Sequence, residues 1–274
     1  VCKFVSKLNI WIRNSKILNQ FLRFSRRGLR HLHIFLLRGE DHLNIFRTID
    51  ISLLKKLKYL QIEAFASMNN IPLKRLSCQI STFRLLKFLI LPAIFQNVLI
   101  LKSLTKLRKL EFVDSFPKIA SLHKLPKLKN LKVSFLKKQK EPIMIKFLAR
   151  LAPMKKITSI DIFVGYKNNL DLLEEICRYL SKSSQLTSLR LRLPDISREG
   201  QISLFQALNY LENLRTLCLT FEGKIFLTSL QQLEKNPSLA KLKEFHLKFP
   251  LVDLKNAETQ TFLNTIGSIF EKIA

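Results

Sequence analysis

The stretch that decides the fold is Leu186-Thr-Ser-Leu189-Arg-Leu191-Arg-Leu193. In its second half every other residue is leucine and the residues between are arginine, the pattern of a strand with one buried face. The same Leu-x-x-Leu-x-Leu pattern returns from Leu214 and again, with phenylalanine as its second apolar residue, from Leu242. A short strand motif that recurs at a fixed interval indicates a repeat protein whose units stack side by side.

Nine copies of this pattern can be aligned along the chain. Their successive spacings are 28, 29, 21, 21, 29, 29, 28 and 28 residues. Such regular returns predict parallel strands joined by right-handed crossovers. The longer intervals have room for a helix, whereas the two 21-residue intervals fit only a short turn or 3₁₀ segment. The copies begin at Leu29, Leu57, Leu86, Leu107, Leu128, Ile157, Leu186, Leu214 and Leu242.

Between the strand motifs, apolar residues recur with helical spacing. Residues 15–26 also look helical, and Val5–Ile12 resembles a further strand. In residues 63–85 two interpretations stay open, because Leu73-Lys-Arg-Leu76-Ser-Cys78 is either an irregular extra strand or a slip of the register. The remaining predicted helices cover 143–151, 169–182, 200–211, 226–234 and 258–273.

Over about residues 29–249 the pattern resembles the leucine-rich repeat family, and the 28–29-residue units resemble its intracellular, ribonuclease-inhibitor-like subclass. The resemblance implies an α/β solenoid with a curved parallel sheet on the concave face and helices on the convex face. It also implies a protein-interaction role without catalysis. One departure is that the family's Asn or Cys after each strand is absent, so we expect irregular turns. Those places hold Ser115, Leu136, Gly165, Pro194, Glu222 and Pro250.

We predict a single domain over residues 1–274 with roughly nine to eleven repeats. Residues 1–28 would form an irregular N-terminal repeat, and residues 255–274 a C-terminal capping helix. A solenoid normally shields its first repeat with a polar cap. None is evident at Val1, which favours a chain that is part of a longer protein.

Positive charge is concentrated in the first half of the chain. The net charge is +27; residues 1–140 hold 29 Lys/Arg and 6 Asp/Glu, whereas residues 141–274 hold 18 and 14. This imbalance predicts that the first half contacts an anionic partner. AT-biased coding, which enriches lysine, is the alternative explanation. The seven arginines among the first fifty residues argue against it.

The residue after the first apolar residue of each copy defines a rim position, and seven of the nine rim positions are basic. Neighbouring strands lie about 5 Å apart, so these side chains should form a column along one edge of the sheet. A solvated polar edge is the alternative. The residues predicted to bind an anionic surface are Arg30, Lys58, Lys87, Arg108, Lys109, Lys129 and Lys132.

A second set of residues alternates with the buried positions and should line the concave face. Phe35 and Phe163 suit hot spots of a protein interface. A continuous surface of aromatic and basic residues for single-stranded nucleic acid is not apparent, which favours a protein partner. The residues predicted to bind this partner are Phe35, Glu63, Phe163, Arg190, Arg192 and Lys248.

No catalytic motif or cofactor site is recognisable. The six glycines are scattered and form no phosphate-binding loop. His31 and His33 near Glu40, Asp41 and His42 suggest a metal site only weakly, because solvated strand histidines are the ordinary outcome. Cys218 and His246 occupy equivalent repeat positions, but no orienting acid or oxyanion site accompanies them. We therefore predict no enzyme activity, no cofactor and no metal.

The cysteines Cys2, Cys78, Cys177 and Cys218 are spread too far apart to cap a repeat domain in pairs. This favours a reducing, intracellular compartment. The most apolar window, 88–101, is interrupted and flanked by lysines, so no membrane span is predicted. The leading hypothesis is a scaffold or adaptor in a larger complex, with a protein on the concave face and RNA or an acidic polymer against the basic half. The alternative is a direct nucleic-acid-binding protein that uses its basic rim.

Overall fold

A computed structural model describes residues 6–12, 19–20, 22–23, 28–36, 49–64, 74–91, 103–113, 122, 124–136, 141–166, 170–250 and 256–273. The chain divides into two compact units, Val1–Lys132 and Val133–Ala274. The described residues include ten strands, which form a parallel sheet in chain order from β1 to β10. The predicted α/β class, with a parallel sheet and helices, is confirmed.

The described residues of the first unit, 1–132, include five whole strands and the start of a sixth, which crosses the division between the units. Each strand pairs in register with the next, so that Leu32 of β2 lies beside Leu60 of β3. Both leucines are fully buried. The strands described are β1 (Lys7–Ile12), β2 (His31–Leu36), β3 (Tyr59–Ala64), β4 (Phe88–Leu91), β5 (Lys109–Val113) and β6 (Asn130–Phe135), and the described segments also include helix α1 (Lys74–Ser81).

The second unit, residues 133–274, alternates strands with full helices. Its C-terminal helix packs rings against the last repeat, where Phe270 meets Phe245 and Phe262 meets Phe249 edge to face. The strands are β7 (Ser159–Val164), β8 (Ser188–Leu193), β9 (Thr216–Phe221) and β10 (Glu244–Lys248). The helices are α2 (Glu141–Leu151), α3 (Leu170–Ser181), α4 (Arg198–Leu208), α5 (Leu227–Glu234), α6 (Asn256–Ile273) and the 3₁₀ helix Pro237–Lys241.

A repeated turn places the first apolar residue of each copy in the core. The amide of Leu57 donates to the carbonyl of Leu54, and the amide of Leu186 donates to the carbonyl of Ser183. The same bond, to the residue three places earlier, precedes each strand from β3 to β10. All nine first apolar residues are buried. The leucine register read from the sequence is therefore the register of the core.

The segment left open between two interpretations is helical where it is described. Residues 74–81 form α1, so the interpretation of Leu73–Cys78 as an extra strand is wrong. In a strand of that pattern Cys78 would be buried; instead it is exposed, whereas Ile80 is buried. Helical spacing fits this burial better than strand alternation, because the buried side chain follows the turn of the helix.

The other helix predictions agree with the structure to within two or three residues at each end, as α2 to α6 show. The outer segments of the two 21-residue intervals, and most of the helix predicted at 15–26, lie outside the described residues. The single-domain organisation and the repeat count stay predictions. Among the described helices, none combines the length and apolar character that a membrane crossing requires.

Candidate functional site

In the first unit the rim positions form a ladder of backbone hydrogen bonds. Lys58 N donates to Arg30 O at 2.7 Å, and Lys87 N donates to Lys58 O at 2.8 Å. Arg108 N then donates to Lys87 O at 2.8 Å, and Lys129 N to Arg108 O at 3.0 Å. The five basic residues therefore occupy five successive rungs. We call Arg30, Lys58, Lys87, Arg108 and Lys129 the cationic column.

The cationic column carries charge that no described carboxylate pairs with. Arg30, Arg108 and Lys129 are exposed, and the other two residues are half-buried. Among the described residues, no carboxylate forms an ion pair with any of the five. Like charges on adjacent strands repel one another. The column is thus an electrostatic cost to the free protein that an anionic partner would relieve.

The same rim positions in the second unit show that the repeat does not require a cation there. Two of the four positions are threonines, Thr158 and Thr187, and the hydroxyl of Thr187 donates to the carbonyl of Thr158 at 3.1 Å. The backbone ladder continues, since Arg215 N donates to Thr187 O and Lys243 N donates to Arg215 O. A neutral residue therefore satisfies the same ladder geometry. The uninterrupted charge of the first unit is a property of that unit and not of the repeat.

Next to the cationic column runs a row of rings on the open face of the first unit. His31, Tyr59 and Phe88 are register partners on β2, β3 and β4. The ring centroids of His31 and Tyr59 lie 6.0 Å apart, and those of Tyr59 and Phe88 also lie 6.0 Å apart. We call these three residues the aromatic row. Lys7 and Lys109 occupy the same register at its two ends.

A second group of rings lies further along β1 and β2. Trp11 stacks on Phe35 with centroids 4.2 Å apart and planes 7° apart. His33 follows, with its centroid 3.7 Å from that of Phe35. Trp11 is 59% exposed, so one face of this stack is open to solvent. We call Trp11, Phe35 and His33 the aromatic cluster.

Hydrogen bonds hold the side chains between the two groups of rings. The Tyr59 hydroxyl donates to Gln61 Oε1, and Gln61 Nε2 donates to Glu63 Oε1. Glu63 Oε1 also lies 3.1 Å from His33 Nε2. Burial, and then the carboxylates of Glu111 and Glu63, raise the pKa of Tyr59, which keeps its hydroxyl protonated as a donor. The predicted partner residue Glu63 is therefore an internal link of this face.

The remaining predicted basic residues have different surroundings. Lys132 Nζ lies 2.6 Å from Glu111 Oε1, so its charge is already paired. Lys109 stands at the end of the aromatic row beside Phe88. A depression of 350 Å³ lies at the other end, lined by Lys7, Asn9, His31, Leu32, His33 and Tyr59.

The open face of the second unit is polar and internally paired. Arg192 lies over the ring of Phe163, with its guanidinium carbon 4.7 Å from the centroid, and its Nε is 3.3 Å from Glu222 Oε1. Arg190 Nη1 lies 4.0 Å from Asp161 Oδ2. Lys248 is exposed on β10 and borders a depression of 380 Å³ with Arg192 and Glu222. The predicted partner residues Phe163, Arg190, Arg192 and Lys248 thus share one unit, whereas Phe35 and Glu63 belong to the other.

Two residue groups have side chains that could take part in catalysis or metal binding: the pair Cys218 and His246, and the histidines of the first unit. Cys218 is the register partner of His246, but its neighbour on the other side is Arg190, a cation and not an acid that could orient the imidazole. Within the described part of the chain, no three His, Cys, Asp or Glu side chains are grouped as a metal site. Glu40, Asp41 and His42 lie outside the described residues. His31 and His33 belong instead to the two groups of rings.

The aromatic row was missed in reading the sequence, although a signal for it exists. Its members are the residues that directly follow rim positions, so that Arg30-His31, Lys58-Tyr59 and Lys87-Phe88 are basic–aromatic pairs one repeat apart. An alignment of the residues that directly follow the rim positions reveals these pairs. The stack of Trp11 on Phe35 had a weaker signal, because the two rings are 24 residues apart and meet only when β1 and β2 are aligned.

No family model matches the sequence, and no curated protein matches it. Among solved structures, one similar chain is that in "Crystal structure of TLR13-ssRNA13 complex", 15% identical with a TM-score of 0.40. Another is the functional domain of InlJ from Listeria monocytogenes, 13% identical with a TM-score of 0.29. The matches cover 90% and 91% of this chain but 39% and 64% of those chains. This chain therefore spans less than two thirds of either, and at such scores the likeness assigns no function.

Proposed function

We propose that the chain is a non-enzymatic interaction scaffold of leucine-rich-repeat type whose first unit binds an anionic partner along the cationic column. The observation that carries this proposal is the run of five cations on adjacent rungs, none paired with a described carboxylate. Threonines at the equivalent rungs of the second unit argue that solubility alone does not account for them. The 28–29-residue units and full helices of the second unit support the ribonuclease-inhibitor-like subclass as part of the proposal.

The column suits a linear polyanion because its charges repeat at the strand interval of about 4.8 Å. Each phosphate or sulfate that contacts a column residue releases counterions, so affinity should fall steeply with salt. A partner with one isolated anionic group could engage only one or two rungs. The geometry therefore favours a polymer or a dense anionic surface over a small ligand.

A charge-reversal pair tests this proposal. Lys58→Glu with Lys87→Glu should weaken binding to heparin at least tenfold at low salt. The matched control is Arg215→Glu with Lys243→Glu, which makes the same charge change at rim positions of the second unit. Equal loss of affinity in both pairs would reduce the attraction to net charge and would overturn the assignment to the column. Circular dichroism of both variants checks that they fold.

We propose the open face of the second unit as the site for a protein partner. Arg192, stacked on Phe163 beside an acidic and a basic side chain, has the mixed character of a protein interface. Arg192→Glu should remove a specific protein from native co-purification, whereas Lys182→Glu, an exposed change at the end of α3, should not. An unchanged set of co-purified proteins would contradict this site. The scaffold would then have one binding surface and not two.

A further inference from the structure

We infer that the anionic partner of the first unit is single-stranded nucleic acid, whose phosphates follow the cationic column and whose bases stack on the exposed or half-buried rings beside it. This inference rests on the proposed function and specifies its partner. Stacking platforms next to a positively charged track are the shared physical basis of single-strand binding. Both parts are present in residues 7–132.

The two parts are joined rung by rung. The residue directly before each of β2, β3 and β4 belongs to the cationic column, and the first residue of each strand belongs to the aromatic row. Each nucleotide of a single strand likewise carries one phosphate and one base. Because the rungs repeat in register, each could hold the phosphate and base of one nucleotide. The fourth rung continues the track with Arg108 and Lys109.

The spacing of the rings favours an unpaired strand over a duplex. Ring centroids in the aromatic row are 6.0 Å apart, whereas bases in a duplex are stacked about 3.4 Å apart. Rings at the wider interval can contact only bases that have separated from one another. In a duplex the base faces are covered, and a protein reaches only groove edges and phosphates. Duplex binding would leave the aromatic row unused.

The rings also argue against the other anionic partners. An acidic polypeptide or a phospholipid surface would satisfy the cationic column, but neither presents a flat π face at each repeat. Trp11 is 59% exposed, although burying so large a ring is favourable, and its partner Phe35 holds it flat by stacking at 4.2 Å. Preorganised flat rings of this kind suit a planar ligand. Nucleobases are the planar groups that accompany a linear polyanion.

Trp11 provides a direct assay because it is the only tryptophan in the chain. Stacking of a base on this ring should quench its fluorescence. We expect quenching by oligo(U) and oligo(dT) and little by heparin or by duplex RNA of equal charge. Stronger quenching by oligo(U) would assign RNA; equal quenching would assign single strands of either sugar. If five column contacts form, log affinity should fall by about 3.5 for each unit of log salt.

Ring-removal variants separate stacking from charge. Tyr59→Leu with Phe88→Leu keeps the apolar bulk but removes two rings, and should weaken oligo(U) binding by a factor of about 5 to 150 for each ring that stacks. Heparin binding should not change. Tyr59→Phe alone removes the hydroxyl and its bond to Gln61 while keeping the ring, so it should bind oligo(U) like the unaltered protein. This comparison shows whether the effect follows the ring or the hydrogen-bond network.

The outcomes distinguish this inference from the proposed function. If the double leucine variant binds oligo(U) unchanged, or if heparin and acidic peptides bind as tightly as oligo(U) without quenching Trp11, the nucleic-acid assignment is wrong and the anionic scaffold stands. If phosphatidylserine vesicles alone bind with affinity that depends on the column, the partner is a membrane surface. If no polyanion binds in a column-dependent manner, both proposals fail.

Discussion

Replacing Lys58 and Lys87 by threonine should stabilise the free protein while weakening its binding to polyanions. Threonine is the residue that the second unit carries at two equivalent rungs, so the backbone ladder accepts it. The double change removes the three neighbouring cation pairs that link Arg30, Lys58, Lys87 and Arg108. If these lysines stabilised the fold, their substitution would instead lower the free energy of unfolding.

The expected gain follows from Coulomb's law. Charges at the ends of flexible side chains on adjacent strands are about 7 Å apart, which in water costs about 0.6 kcal/mol for each pair. Removing three pairs therefore stabilises the free protein by about 1.8 kcal/mol at very low salt. At 0.1 M salt, screening reduces this to about 1 kcal/mol. Near 1 M salt the electrostatic gain should vanish, which leaves only the small difference in strand propensity.

Urea unfolding followed by Trp11 fluorescence measures this effect, because the single tryptophan reports the first unit. The unfolding free energy of the double variant should exceed that of the unaltered protein at about 0.02 M salt and converge with it at about 1 M. Arg215→Thr with Lys243→Thr is the matched control and should leave the Trp11 transition in place. A variant that is less stable at low salt, or a gain independent of salt, would refute electrostatic strain in the column.

Three further changes test the core and the packing. Leu189→Ala, at a fully buried position, should reduce the unfolding free energy by about 2–5 kcal/mol in urea titration, and a loss below 1 would contradict stacked repeats. Gly223→Ala should lower the unfolding free energy by about 1–3 kcal/mol, because the new Cβ would lie 2.7 Å from Asp195 Cα. Gly267→Ala in α6 meets nothing within 4 Å and should raise the unfolding free energy by about 0.5–1 kcal/mol. Equal melting temperatures of the two variants would contradict this contrast. Burial raises the pKa of Cys177 to about 11, so its labelling by thiol reagents should be slow at pH 8 and accelerate as pH approaches 11; fast labelling at pH 8 would contradict its burial.

The candidate site was only partly readable from the sequence. Within each unit, backbone hydrogen bonds join the rim positions, which share a fixed offset from the buried leucines in the sequence. The pairing of Lys132 with Glu111 was not predicted, although these residues are 21 apart and occupy the same place in adjacent copies. Offsets locate a side chain on its strand, but they do not tell whether it meets a partner or solvent.

Sequence alone determined which face of the nine repeated strand motifs points into the core and on what interval the strands return, because strand alternation and repeat spacing are local properties of the chain. It also located the concentration of positive charge. Tertiary structure decided that residues 74–81 form a helix and not a strand; Cys78 is exposed and Ile80 buried there, although strand alternation would place both on one face. It likewise decided which rings face one another. Parallel pairing places Trp11 beside Phe35 and Tyr59 beside Phe88, and contacts between residues 24 and 29 positions apart arise only when the strands are aligned.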